Sequence, residues 1–251
     1  DFKILILGNL GIALMSLSAG SINQLLDQRI DKIMMRTKGR PLVSGILTTT
    51  NVVIYASLMA FIGFYILYFH INALTAWLTF GSLIGYAFIY TVYLKRATPQ
   101  NIVIGGLAGA APPLLGWTAI TNSVDPNSLL LVLIIFAWTP PHFWALAIHR
   151  KEDYAKENIP MLPVTHGVKF TKLQIILYTI ILILVSFLPF IVLMSGIFYL
   201  ISASILGIIF LYYSIELYLD ENNENAFPTF IYSIYYIFLI FAALLIDHFL
   251  I

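Results

Sequence analysis

The chain has 251 residues, of which 60% are hydrophobic and 10% charged, with a formal net charge of +1; its mean hydropathy is +0.92. A soluble domain carries roughly 25% charged residues, so this is the composition of a membrane protein. The near-neutral balance excludes a nucleic-acid partner, whose phosphates would demand a large basic excess, and the absence of cysteine excludes disulfides, thiolate metal ligands and a cysteine nucleophile.

A hydrocarbon core of about 30 Å needs about 20 apolar residues per helix. Eight stretches meet that length: Ile4 to Leu26, Thr49 to Phe69, Ala73 to Tyr93, Asn101 to Ile120, Ser128 to Ile148, Leu173 to Met194, Phe198 to Leu219 and Phe227 to Leu250. The expected fold is therefore all-α, a multi-pass transmembrane helical bundle embedded in the lipid bilayer. No cleavable signal peptide is visible, and the chain starts at Asp1 rather than Met, so a trimmed or lost start is expected.

Of the 13 Lys and Arg residues, five follow the first stretch (Arg29, Lys32, Arg36, Lys38, Arg40), two the third (Lys95, Arg96) and five the fifth (Arg150, Lys151, Lys156, Lys169, Lys172), leaving only Lys3. In an alternating bundle these three loops share one face, which the Lys/Arg bias assigns to the cytoplasmic or matrix side. The opposite loops, His70 to Asn72, Thr121 to Asn127 and the break at Ser195-Gly196, are short; the inner loop Asp220 to Ala226 is acidic and runs against the pattern. The first and fifth stretches both end in carboxylates followed by a long polar loop, which suggests two similar four-helix halves.

Asn23, Asp27 and Asp31 recur at i, i+4 and i+8, which stacks them on one helix face over about 12 Å. A hard cation such as Mg²⁺ takes oxygen ligands and is commonly held by one or two carboxylates plus substrate phosphates. Arg36 and Arg40 follow, and guanidinium forks match phosphate oxygens. Together these groups describe a diphosphate site. Taken singly, each charge reads better as a marker of the helix end; the set favours the site, because topology needs only Lys and Arg while Asp is costly at membrane depth.

A second acidic cluster, H-R-K-E-D-Y-A-K-E, places Asp153 and Glu157 at i, i+4 after Arg150 and Lys151. By itself it reads as a second ion or diphosphate site and as a solvated loop with helix pairing, for instance Glu152 to Lys156, in equal measure. Gly105, Gly106 and Gly109 precede Pro112-Pro113 in the fourth stretch; the glycine spacing predicts close helix packing and the prolines a break or bend. Among the five histidines, His70 and His248 sit near the outer ends, His149 borders a basic loop and His166 lies within it. His142 falls at membrane depth in a Pro-interrupted stretch, where a functional group and a satisfied helix–helix hydrogen bond are both open readings.

At Asn23, Asp27 and Asp31 the chain resembles the UbiA superfamily of intramembrane prenyltransferases, whose first signature is N-x-x-x-D-x-x-x-D. Four further stretches are similar to its protohaem IX farnesyltransferase branch: R-T-K-G-R-P-L at Arg36 to Leu42, Y-L-K-R-A-T-P-Q-N-I-V-I-G-G-L-A-G-A-A-P-P-L-L-G-W at Tyr93 to Trp117, W-T-P-P-H-F-W-A-L-A-I at Trp138 to Ile148, and D-Y-A-K-E-N-I-P-M-L-P-V at Asp153 to Val164. The resemblance implies a single integral-membrane prenyltransferase domain over residues 1–251 with a central cavity open toward the cytoplasmic or matrix face. The family usually has nine helices, which implies one more before the first seen here. Its second signature often has two aspartates four apart, whereas here Asp153 is clear and Glu157 an open partner.

The implied reaction transfers a farnesyl group from farnesyl diphosphate to a vinyl group of haem B, with water adding to give the haem O side chain. Implied with it are Mg²⁺ held by Asn23, Asp27, Asp31 and Asp153, diphosphate contacts from Arg36, Arg40, Lys95, Arg96 and Arg150, and His142 as a haem candidate. The implied setting is a bacterial plasma membrane or a mitochondrial inner membrane, with a haem-pathway enzyme as a further partner. Two alternatives compete: a superfamily member that prenylates a quinone precursor, and an ion-coupled transporter built on Asp27, Asp31 and the broken helices. Release of diphosphate separates the enzymes from the transporter, and acceptor competition separates the two enzymes.

Overall fold

The computed structural model describes residues 2–33, 37–156 and 159–250, and within them every regular element is helical. Eight helical stretches are long and apolar enough to cross a membrane: Phe2–Leu26, Thr49–Ile71, Ala73–Leu94, Asn101–Thr121, Pro126–His149, Val168–Ile191, Ile197–Leu219 and Ala226–His248. Their outward faces carry large apolar side chains such as Phe61, Ile208 and Phe238. A surface of this kind suits hydrocarbon, where every backbone group must be satisfied within the protein.

The elements are α1 (Phe2–Leu26), α2 (Gln28–Asp31), α3 (Thr49–Ile66), π1 (Leu67–Ile71), α4 (Ala73–Ile84), π2 (Gly85–Leu94), α5 (Lys95–Ala97), α6 (Asn101–Gly109), α7 (Pro112–Thr121), α8 (Pro126–His149), α9 (Lys151–Lys156), α10 (Leu162–Thr165), α11 (Val168–Ile191), α12 (Ile197–Leu219) and α13 (Ala226–His248). They form two compact units, residues 1–128 and 129–251.

In the first unit α1 packs chiefly along α3. Glycine makes this approach close: a Cβ at Gly63 would lie 2.8 Å from the Gly11 carbonyl oxygen and 2.7 Å from Met15 Cγ. The Ser18 hydroxyl adds an interhelical bond to the Ala56 carbonyl at 2.8 Å. Met15, Ala19, Leu67, Ala76 and Leu83 form the core beside this crossing. The fourth membrane stretch is broken, as its prolines predict, but the break comes just ahead of them. Pro112 and Pro113 start α7, where a missing N–H costs nothing because first-turn N–H groups have no intrahelical partner. Close packing by the glycine spacing holds for Gly105, whose Cβ would meet the Tyr90 ring at 2.2 Å, and fails for Gly109, which has open space around it.

In the second unit α11, α12 and α13 pack in sequence around Leu182, Tyr199, Phe210, Tyr236 and Ile240. Hydroxyls cross between helices, with Thr179 to Ser214 at 3.0 Å and Ser186 to Tyr236 at 2.8 Å, so these four buried hydroxyls are matched inside the apolar layer. The Asp247 carboxylate on α13 caps the start of α12, accepting from the backbone N–H groups of Gly196 and Tyr199. Two expectations need correction. Helix α11 begins at Val168, earlier than its apolar run, so Lys169 and Lys172 are helical rather than loop residues. Lys172 is buried and donates to the Asp220 carbonyl, so its amine serves the junction between helices rather than the loop charge. Helix α8 runs unbroken through Pro140 and Pro141, although those residues supply no N–H to its ladder.

The Gly11–Gly63 contact makes a direct prediction. Gly63→Ala should lower thermal stability in detergent, by about 1–3 kcal/mol for an overpacked crossing, whereas Gly81→Ala, which meets open space, should not; equal melting temperatures for the two would contradict the packing.

Candidate active site

The acidic face predicted from spacing is present. Asp27 N bonds Asn23 O and Asp31 N bonds Asp27 O, each at 2.9 Å, so the helical repeat passes from α1 through α2 and keeps the three side chains on one face. Both carboxylates are almost fully buried, Asp27 at 3% and Asp31 at 4% exposure. An isolated buried carboxylate costs several kcal/mol, so each needs a cation. Lys95 Nζ reaches Asp27 Oδ2 at 2.5 Å, and Arg40 Nη1 reaches Asp31 Oδ2 at 2.5 Å.

Local folding explains why these cations arrive. The loop after α2 turns back through Arg40 N to Thr37 O at 3.0 Å, while the Thr37 hydroxyl bonds the Asp31 carbonyl at 3.1 Å. Gln28 holds the Leu42 carbonyl at 3.3 Å and Leu42 is buried, so the R-P-L stretch is clamped onto the helix end that carries Asp31. Lys95 follows π2, whose wider i to i+5 turn re-aims the side chains at its end. Thr91 in π2 accepts from Asn23 Nδ2 at 3.0 Å and donates to the Tyr86 carbonyl at 2.9 Å. Asn23 Nδ2 also donates to Asp27 Oδ2 at 3.2 Å.

The unused atoms matter most. Among the described residues no donor meets Oδ1 of Asn23, Asp27 or Asp31. Three hard oxygens on one face, with two basic groups beside them, suit a divalent cation that shares its shell with a diphosphate. No group of three or more His, Asp and Glu residues stands close enough to enclose a metal among the described residues. The donor set therefore fits an ion completed by substrate oxygens rather than one caged by protein.

A cavity of about 270 Å³ opens along the same face of α1, lined by Ile12, Met15, Ser16, Gly20, Tyr86 and Leu115 among others. Gly20 sits about one turn before Asn23, so this mostly apolar cavity follows the acidic face toward the opposite end of the helix. Thr91 and Tyr86 escaped the sequence reading: a hydroxyl and a phenol in an apolar run carry no periodic signal, and their placement depends on the π turn.

The second unit holds the other predicted group. Arg150 Nη1 stands 3.7 Å from Asp153 Oδ2 in an i, i+3 pair, while the expected Glu152–Lys156 pair does not form. A polar cleft of about 440 Å³ is lined by His149, Arg150, Asp153, Asn222 and Asn223, among others. The Asp220 carboxylate organises its far wall by accepting from the N–H groups of Asn222, Asn223 and Asn225. Those bonds, the one from Asn225 foremost, hold its carboxyl below the usual range.

His142 shows the helix–helix bond of the bland reading and more. Its Nδ1 lies 2.7 Å from the Ser233 hydroxyl, and its ring is stacked between Trp138 and Phe230 at centroid distances of 4.2 and 4.7 Å. Ser233 donates its proton to the Phe230 carbonyl at 2.5 Å, so Nδ1 must be the protonated nitrogen and Nε2 carries the lone pair. Arg36 and Glu157 lie outside the described residues, as does the side chain of Arg96.

Comparison with known proteins identifies the family. The UbiA prenyltransferase family matches residues 1–245, and the chain belongs to that family. It is a multi-pass integral membrane enzyme of the prenyltransferase class. Its relatives include proteins named protoheme IX farnesyltransferase: one from Hahella chejuensis is 58% identical over 99% of this chain and 83% of its own length. Another, from Colwellia psychrerythraea, is 59% identical over 96% of this chain and 78% of its own. The fold is shared with a solved digeranylgeranylglyceryl phosphate synthase, with a TM-score of 0.82 at 20% identity over 98% of this chain and 86% of that one. A UbiA homologue from Archaeoglobus fulgidus bound to GPP and Mg²⁺ aligns with a TM-score of 0.63 at 17% identity, over 97% of this chain and 88% of that one.

Pairing of buried charge yields a measurable consequence. Lys95→Met strands the Asp27 carboxylate and should destabilise the fold by about 3 kcal/mol, read as a fall in melting temperature. Asp27→Asn combined with Lys95→Met should recover most of that loss. A double variant as unstable as the single would show that the pair does not carry the cost.

Proposed function

We propose that the protein transfers the farnesyl group of farnesyl diphosphate to a vinyl carbon of protohaem IX (haem B) and thereby makes haem O in a Mg²⁺-dependent reaction. The observation that carries this reading is the acidic face of the first unit, where two buried carboxylates each spend one oxygen on a basic side chain and, among the described residues, meet no donor at the other. The names of the relatives supply the acceptor. The two units act as one prenyltransferase domain.

Asn23, Asp27 and Asp31 would hold Mg²⁺ through their Oδ1 atoms. When bound, the ion neutralises charge that grows on the departing diphosphate. Lys95 and Arg40 already stand at the carboxylates and can turn their remaining N–H groups to phosphate oxygens; Arg36, Arg96 and Arg150 are proposed to share that load. Asp153 is proposed as the further acidic group of the reaction. The C1–O bond of farnesyl diphosphate breaks with its electron pair leaving on the diphosphate. The vinyl π electrons then form the new C–C bond to C1, and water adds to the resulting porphyrin-side cation with loss of a proton. The cavity along α1 is assigned to the prenyl chain. The Tyr86 ring in its wall offers cation–π stabilisation to the allylic cation, and the apolar lining keeps water from trapping it early. His142 is proposed to face haem through the Nε2 lone pair.

The basic loops are assigned to the cytoplasmic side of a bacterial plasma membrane or the matrix side of a mitochondrial inner membrane, with a haem-pathway enzyme as a partner for delivery or uptake of the porphyrin.

Purified protein in lipid nanodiscs, given haem B, farnesyl diphosphate and Mg²⁺, should yield a porphyrin heavier by one farnesyl group and one hydroxyl group in mass analysis. EDTA should abolish the product, and Asp27→Ala or Asp31→Ala should lower turnover by about 10²–10³-fold; folded variants with full turnover would overturn the metal assignment. Orientation is testable because the chain has no cysteine of its own. An impermeant maleimide applied to intact bacterial cells should label Ser123→Cys and spare Lys151→Cys, and the reverse pattern would invert the topology.

A further inference from the structure

We propose that Thr91 is a positioning residue that sets which end of the Asn23 amide faces the reaction, an inference that rests on Asn23 serving as an oxygen ligand. Thr91 is 3% exposed and sits in π2. In an α-helix a threonine hydroxyl bonds the carbonyl three or four residues back. Here the π register brings the carbonyl of Tyr86, five residues back, to 2.9 Å.

A hydroxyl has one proton. Thr91 spends it on Tyr86, so its contact with Asn23 at 3.0 Å requires a donor, and the atom there must be Nδ2. The second proton of that amide goes to Asp27 Oδ2 at 3.2 Å. The reversed amide would set Oδ1 against the oxygens of both Thr91 and Asp27. Polarity therefore runs in one direction, from Asn23 to Thr91 to the Tyr86 carbonyl, and leaves Asn23 Oδ1 without a donor among the described residues.

Asp27 alone gives a weaker lock. Its Oδ2 already takes the Lys95 ammonium at 2.5 Å, and its charge is the one that a cation and a diphosphate redistribute. The Thr91 hydroxyl is neutral, buried and tied to backbone, so its grip on the amide is unchanged by what binds. A residue near the end of the third membrane crossing thus decides whether an oxygen or an NH₂ is offered to the ion.

The test uses Mn²⁺ as a spectroscopic stand-in for Mg²⁺, with the full chain in nanodiscs. Thr91→Val keeps shape and removes the acceptor; it should weaken Mn²⁺ binding measured by electron paramagnetic resonance by about 10-fold, the lower end for loss of an outer partner of a metal ligand. The Mg²⁺ concentration for half-maximal turnover should rise in parallel, kcat at saturating Mg²⁺ should recover, and the KM for haem B should stay fixed. Thr91→Ser should restore Mn²⁺ binding, and Asn23→Ala/Thr91→Val should bind no more weakly than Asn23→Ala. If Asn23→Ala itself leaves Mn²⁺ binding intact, the ligand assignment of Asn23 fails. If Asn23→Ala weakens binding while Thr91→Val does not, the positioning role alone is overturned. Should Thr91→Val fail to fold, Thr91→Ala takes its place with the same expected losses, and additive losses with Asn23→Ala would equally refute the proposal.

Discussion

Charge buried beneath a membrane surface has to be matched, and the rest of this structure is arranged around that requirement. Asp27 and Asp31 are nearly inaccessible, and neither hydrophobic packing nor water can replace the solvation they lose. Two basic side chains from other parts of the first unit therefore come to them, Lys95 from the end of π2 and Arg40 from the loop clamped back by Thr37 and Gln28. What looks like a stability device is also, in the proposed function, the resting state of the site. Among the described residues each carboxylate is compensated through one oxygen and meets no donor at the other, so these residues neutralise the site without closing it.

The same economy appears in how polar groups are distributed elsewhere. In the second unit hydroxyl pairs and the Asp247 cap join helices whose other contacts are apolar. These bonds join neighbouring helices. The acidic face differs because, among the described residues, it keeps oxygens that no donor meets, and those are what a divalent cation would fill. His142 lies between the two cases: its Nδ1 is committed to Ser233 and its ring to a stack, while Nε2 retains a lone pair.

Irregular helix geometry is where the fold and the chemistry meet. The π2 turn places Tyr86 in the wall of the apolar cavity, Thr91 against Asn23, and Lys95 against Asp27. A straight α-helix over the same residues would rotate each of these side chains away by part of a turn. The close approach of Gly105 to Tyr90 fixes π2 against α6 from its other side.

Membrane insertion, helix number and the shared face of Asn23, Asp27 and Asp31 were all readable from residue order, because hydropathy over about 20 residues and an i, i+4 spacing are local properties that survive any packing. The start of α11 was not, since Lys169 and Lys172 look like loop charges until the partner of Lys172 is known. The tautomer of His142 and the partner of Thr91 belong to the same category. Each depends on which donor meets which acceptor across helices distant in the chain, and a hydroxyl or amide has no preferred partner until the backbone brings one within about 3 Å. Tertiary structure alone decided those pairings, and with them which oxygens remain free.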